Sequence, residues 1–233
     1  MYLIIGIIIV ILIFLFLRKS KKKKQDENLF GTTNSEAEKY CLILDTETTG
    51  LTKDRNLRAT KANIDNFPGI VEIAWGVYSR KGEIISEGNY IIKQKYPIPT
   101  ASIDIHGISD EQCLKEGVEL NEALMHLKQD AKGCKRLVGH NIMFDKRVVE
   151  AECIREGLKK PFTGMTTYDT IKLAQQHYKT RKYFKLDELY EELYNEKVPE
   201  DIGRHRAISD VVVTSAIFFP LKSSGDTFDK NRK

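Results

Sequence analysis

Leu42 to Gly50 reads LILDTETTG: three apolar side chains, then Asp45 and Glu47 with one threonine between them. An apolar run closed by a glycine turn reads as a buried strand. Residues i and i+2 of a strand share a face, so Asp45 and Glu47 project together while Thr46 points the other way. Two like charges so placed repel. A hard cation with oxygen ligands, magnesium or manganese rather than zinc, is what would hold both ionised. Taken alone, the stretch also reads as a polar turn with Glu47 solvated.

The neighbouring segments say what kind of sheet this strand joins. IVEIAWGVYS (Ile70 to Ser79) and EIISEGNYII (Glu83 to Ile92) read as two further strands joined by a turn at Arg80 to Gly82, which makes an antiparallel meander. Ser109 is placed to cap a short helix, and VELNEALMHLKQDA has helical spacing up to Gly133. KRLVGHN reads as a short strand leading into a helix through Phe144, Val148 and Ala151. MTTYDT precedes a helix over Ile171 to Tyr178, and LDELYEELY and AISDVVVTSAIFF supply two more. The domain predicted from these patterns is a mixed α/β unit over residues 40–221, followed by a polar tail, 222–233.

The chain has 233 residues, of which 41% are hydrophobic and 30% charged, which suits one globular domain with appendages. Its four cysteines are widely spaced without a CxxC pair, which argues against a zinc site and a disulfide framework. Tyr2 to Leu17, YLIIGIIIVILIFLFL, carries no charge and would make a helix of roughly 24 Å, slightly short of a hydrocarbon core of about 30 Å. Arg18 and Lys19 can snorkel to close the gap, so residues 1–18 read as a transmembrane anchor; a cleaved signal peptide would need a basic residue before the run and small residues after it. RKSKKKK, Arg18 to Lys24, places six positive charges directly after the span, and residues 19–39 form a basic juxtamembrane segment and polar linker. By the positive-inside rule the chain is single-pass, with its domain in the cytoplasm. The whole chain is +4, so without these six charges the remainder stands at −2, and net charge alone gives no nucleic-acid footprint.

Two other acids stand at comparable junctions. GHNIMFD ends at Asp145, where an apolar strand gives way to a helix, and RHRAISD ends at Asp210, in the first turns of the last helix. Helix-start acids are favoured by the macrodipole for purely structural reasons, but Asp210 is bracketed by Ile208, Val211 and Val212. His205 lies five residues before Asp210, about 500° of helical rotation, so it is expected in the loop ahead of the helix, where the surrounding acids make it a candidate base. His126 and His177 read as surface residues.

DTETTG, GHNIMFD and HRAISD, in this order and spacing, resemble the three motifs of the DnaQ-like, or DEDDh, 3′-5′ exonucleases, a family that includes the proofreading epsilon subunits of bacterial replicative polymerases. The branch of that family with a tyrosine four residues before the last aspartate is not indicated, because that position is Arg206. The resemblance implies a ribonuclease H-like fold, a central mixed five-stranded sheet flanked by helices. It also implies two divalent cations, with Asp45, Glu47 and Asp210 on one, Asp45 and Asp145 on the other, and His205 as general base. Thr48, Leu51, His106, Asn141 and Phe144 would contact the terminal nucleotide, although ordinary packing is the rival reading for Phe144. The implied partner is the 3′ end of single-stranded DNA or RNA, with a DNA polymerase as a further one; the membrane partner comes from residues 2–17 and not from the resemblance, since such an anchor is foreign to a replisome subunit. A membrane-tethered nucleic-acid-binding module without cleavage is the alternative, against which the complete acid set speaks. The loop Thr52 to Pro68 is longer than in many such proteins and is expected to alter the groove beside Leu51.

Overall fold

The computed structural model describes residues 38–202 and 205–230. β1 (Lys39–Thr48), β2 (Ile70–Ser79), β3 (Ile84–Ile91), β4 (Arg136–Gly139) and β5 (Thr166–Asp169) form a five-stranded sheet in the order β3-β2-β1-β4-β5. β1 pairs antiparallel with β2, and β2 with β3, while β1–β4 and β4–β5 are parallel. The mixed sheet and the meander are those expected. β5 is the strand that periodicity did not announce: its four residues, TTYD, are polar and half exposed, and the parallel pairing with β4 makes them a strand.

Helices cover both faces. They are α1 (Thr100–His106), α2 (Asp110–Glu116), α3 (Leu120–Ala131), α4 (Met143–Arg155), α5 (Thr170–His177), α6 (Leu186–Tyr194) and α7 (Ala207–Lys230). Ser109 caps α2, its side chain accepting from the Gln112 amide at 3.1 Å. β1 is buried on both faces, which is why LIL runs without alternation. Leu42 and Leu44 pack with Leu124 and Leu127 of α3 and Val148 and Val149 of α4. Cys41 and Ile43 face Val211 and Phe218 of α7. Strand alternation therefore aims Asp45 and Glu47 at the α7 side. All four cysteines are buried and free.

The loop after Leu51 is built rather than loose. It contains a short 3₁₀ helix, Lys61–Asn66, and Arg155 of α4 donates to the carbonyls of Ile64 (2.9 Å) and Phe67 (2.6 Å). Ala59 and Phe67 bury against Ala151 of the same helix.

Residues 222–230, within the stretch expected as a polar tail, continue α7 as helical backbone to Lys230. Pro220 sits inside that helix and has no amide hydrogen to give the carbonyl four residues back. The Tyr194 hydroxyl of α6 supplies the missing donor, reaching the Ala216 carbonyl at 2.7 Å. Among the described residues no helix is long and apolar enough to cross a membrane. The expected anchor over residues 1–18 lies outside the described residues, and so does the expected linker over residues 19–39 except for Glu38 and Lys39.

Because Tyr194 replaces a backbone donor, Tyr194→Phe should cost about 1–3 kcal/mol in urea unfolding, the penalty of an unsatisfied carbonyl. In a Pro220→Ala background, which restores the intrahelical donor, the same change should cost much less. Equal costs in the two backgrounds would show that the hydroxyl does not compensate for the proline.

Candidate active site

Three acids meet where β1 ends and α7 begins. Asp45 and Glu47 come from the strand and Asp210 from the first turn of the helix, and one carboxylate oxygen from each lies within 4.8 Å of the others. Oxygens around a magnesium ion at 2.0–2.1 Å sit at most about 4.2 Å apart, so the set needs only slight contraction to grip one. All-oxygen, all-anionic donors suit magnesium or manganese. By donor chemistry and spacing the residues fit such an ion.

Asp145 reaches the same region from the first turn of α4 and is buried. Its Oδ1 accepts from the Thr46 amide at 3.0 Å and from the Thr46 hydroxyl at 2.7 Å. Thr46 points away from the acid pair, as its parity demands, and from that side it fixes the fourth acid. Strand alternation alone did not reveal this role.

A fifth carboxylate escaped the sequence reading. Glu72 lies opposite Glu47 in the β1–β2 register and is 0% exposed. Arg206 donates to it through Nη2 at 2.6 Å and Nε at 3.0 and 3.2 Å, and the Ala207 amide donates at 2.9 Å. The available signal was a lone acid in an otherwise apolar strand, IVEIAWGV. Hydrogen bonding and charge from Glu72 raise the Arg206 pKa further.

His205 stands in the loop before α7, as expected, exposed and with a φ of +54°. With Asp210 it lines an open cleft of about 270 Å³, whose other walls include His140, Tyr183 and Lys185. The stretch His177 to Lys185, read from sequence as an exposed helix end and loop, thus contributes two side chains to the cleft. His140 ties that loop down, pairing with the Thr170 hydroxyl at 2.8 Å and the Phe184 carbonyl at 3.0 Å.

The expected nucleotide contacts divide. Leu51 is 83% exposed, free to meet a base. Thr48 turns its hydroxyl onto the Gly50 carbonyl at 2.6 Å. Asn141 is exposed, has a φ of +59°, and is held by its amide to Asp169 Oδ1 at 3.1 Å. His106 is buried; its Nδ1 accepts from Ile108, while Nε2 has no partner among the described residues. Burial lowers the His106 pKa, which favours the neutral ring. Phe144 is half-buried against the core, so packing accounts for at least part of it. His126, read as a surface residue, meets the Tyr90 hydroxyl at 2.8 Å.

Crowding shows in the acids' proton affinity. Burial first, then Asp145, Asp210 and Glu47, raises the Asp45 pKa well above the usual carboxylate range. Burial, with Asp210 and Glu72, lifts Glu47 to about 8. Burial lifts Asp145 to about 7 against the two bonds from Thr46. A carboxylate whose folded pKa is raised contributes stability below its unfolded pKa of about 4, and that stability is lost as pH rises through the folded value. In chelator, the melting temperature should therefore fall between pH 5 and pH 8. Magnesium, which binds the ionised acids, should raise it more at pH 8 than at pH 5. A melting temperature in chelator that stays flat or rises over this range would contradict the assigned strain.

The profile of the Exonuclease family (RNase_T) matches residues 42–218. Over 191 residues the chain is 28% identical to the DNA polymerase III PolC-type of Caldanaerobacter subterraneus subsp. tengcongensis; the match covers 82% of the chain and 12% of that much longer protein. In fold it is similar to Exonuclease X in complex with 5′ overhanging duplex DNA, with a TM-score of 0.58 and 24% identity over 80% of this chain and 93% of that one. It is also similar to E. coli Exonuclease I in complex with a dT13 oligonucleotide, with a TM-score of 0.64 and 16% identity over 82% of this chain and 42% of that one. The family match spans all three acid-bearing junctions and the sheet that carries them, and on it the chain belongs to the Exonuclease family.

Proposed function

We propose that this exonuclease domain removes nucleotides one at a time from the 3′ end of single-stranded DNA, with short RNA the alternative substrate, and releases nucleoside 5′-monophosphates. The observation that carries this reading is the convergence of Asp45, Glu47 and Asp210 within 4.8 Å, beside a cleft that Asp210 shares with His205. DNA bound by the Exonuclease X and Exonuclease I structures supports the substrate class.

Asp45, Glu47 and Asp210 would hold one cation, and Asp45 with Asp145 a second. Bound there, magnesium or manganese supplies Lewis-acid stabilisation of the charge that develops on the attacking and leaving oxygens. His205 takes a proton from the attacking water as the water oxygen bonds to the terminal phosphorus. The bond from phosphorus to the 3′ oxygen of the penultimate nucleotide breaks, and solvent protonates that oxygen. Leu51 and Phe144 supply apolar faces for the terminal bases. Thr48, His106 and Asn141 supply polar contacts to the same nucleotide. Such contacts tolerate any base sequence.

The sequence also supports a tether. The uncharged run Tyr2 to Leu17 and the basic cluster after it are proposed to anchor the chain in a membrane, with the domain in the cytoplasm. A DNA polymerase is the partner that similarity to a segment of a PolC-type polymerase supports.

Oligonucleotides labelled at the 5′ end should shorten stepwise in magnesium and remain intact in chelator. Asp45→Asn should lower kcat by roughly 10²- to 10³-fold, the scale seen when one electrostatic stabiliser is lost. Label released first from the 5′ end, or an undiminished Asp45→Asn, would overturn the reading. For the tether, detergent but not 1 M salt should release the full chain from membranes; release by salt alone would mean a lysine-mediated surface contact instead.

A further inference from the structure

His205 is exposed, so packing does not orient its ring, and its φ of +54° is a conformation that a residue with a side chain keeps only where its surroundings enforce it. The enforcement lies in the next two residues. Arg206 and the Ala207 amide both donate to Glu72, a carboxylate fully buried on β2 and 134 and 135 positions away in the chain. The fork of Arg206 meets both carboxylate oxygens, which fixes the orientation of its backbone as a single contact would not. The Ala207 bond pins the first residue of α7, the helix that carries Asp210. The Ser209 hydroxyl donates to the Ile202 carbonyl, a further tie on the first turn of α7.

We propose that Glu72, acting through Arg206 and the Ala207 amide, is a positioning residue for His205: it holds the loop in the left-handed turn that keeps the imidazole beside Asp210. The inference rests on His205 serving as the proton acceptor. Glu72 itself touches no substrate. Its charge is matched by Arg206, so the pair acts as a fixed bracket between β2 and the start of α7.

A double-mutant cycle tests it on a 5′-labelled oligonucleotide at saturating magnesium. Glu72→Gln keeps the shape of the side chain but sets an amide against the guanidinium, and it should lower kcat about ten- to hundred-fold, the scale of a misplaced catalytic group. Arg206→Lys, at a partly exposed position, keeps the charge and loses the fork; it carries the same cycle if Glu72→Gln does not fold. In a His205→Ala background either change should lower kcat by less than about two-fold, because the group it positions is already gone. A multiplied loss in that background would show that the bracket acts on something other than His205. Wild-type kcat in both single variants would also overturn the proposal. A His205→Ala variant with wild-type kcat would sink the base assignment and the bracket together, which separates that failure from failure of the bracket alone.

Discussion

Mutual repulsion among carboxylates is the constraint on which this structure turns. Asp45, Glu47 and Asp210 bring oxygens within 4.8 Å, and Asp145 and Glu72 add to the field they feel. Without a cation, burial first and then mutual repulsion raise the acids' proton affinity, to a pKa of about 7 at Asp145 and about 8 at Glu47. Only elements that are stable for other reasons can hold such groups together. β1, buried on both faces between α7 on one side and α3 and α4 on the other, is such an element.

The four acids are delivered by the ends of three rigid elements, Asp45 and Glu47 by β1, Asp145 by α4 and Asp210 by α7, and these ends are secured by contacts that keep them from relaxing. Thr46 ties Asp145 with two bonds from the far face of β1. Glu72 takes bonds from Arg206 and the Ala207 amide and so pins the residues that follow His205. Tyr194 repairs the same helix where Pro220 breaks its bonding, so α7 remains one continuous support. The site is thus strained at its centre and over-determined around it.

Much of this was legible in the chain. LILD, IVEIAWGVYS and EIISEGNYII announced the meander, because strands buried on one or both faces leave a clear apolar signature, and the acids of the three motifs were expected at element ends, where the structure has them. β5 was not legible, because TTYD is polar and owes its conformation to pairing with β4 rather than to its own pattern. Nor was the bracket, since Glu72 and Arg206 meet only through tertiary folding and sequence spacing says nothing about a contact across 134 residues. Thr46 escaped for a related reason: face parity shows where a side chain points, not what another element brings to that face. The ordered loop after Leu51 depends similarly on Arg155, 88 positions beyond Phe67.

The distance in sequence between Glu72 and the start of α7 bears on when the acid cluster is assembled. Contacts of such long range close late, after the loop-closure entropy of the intervening chain has been overcome. A ribosome-bound chain that has emerged only as far as α6 has β1 with Asp45 and Glu47, but not Asp210, His205 or the turn that presents them. The three-acid cluster is therefore assembled only once α7 has been made.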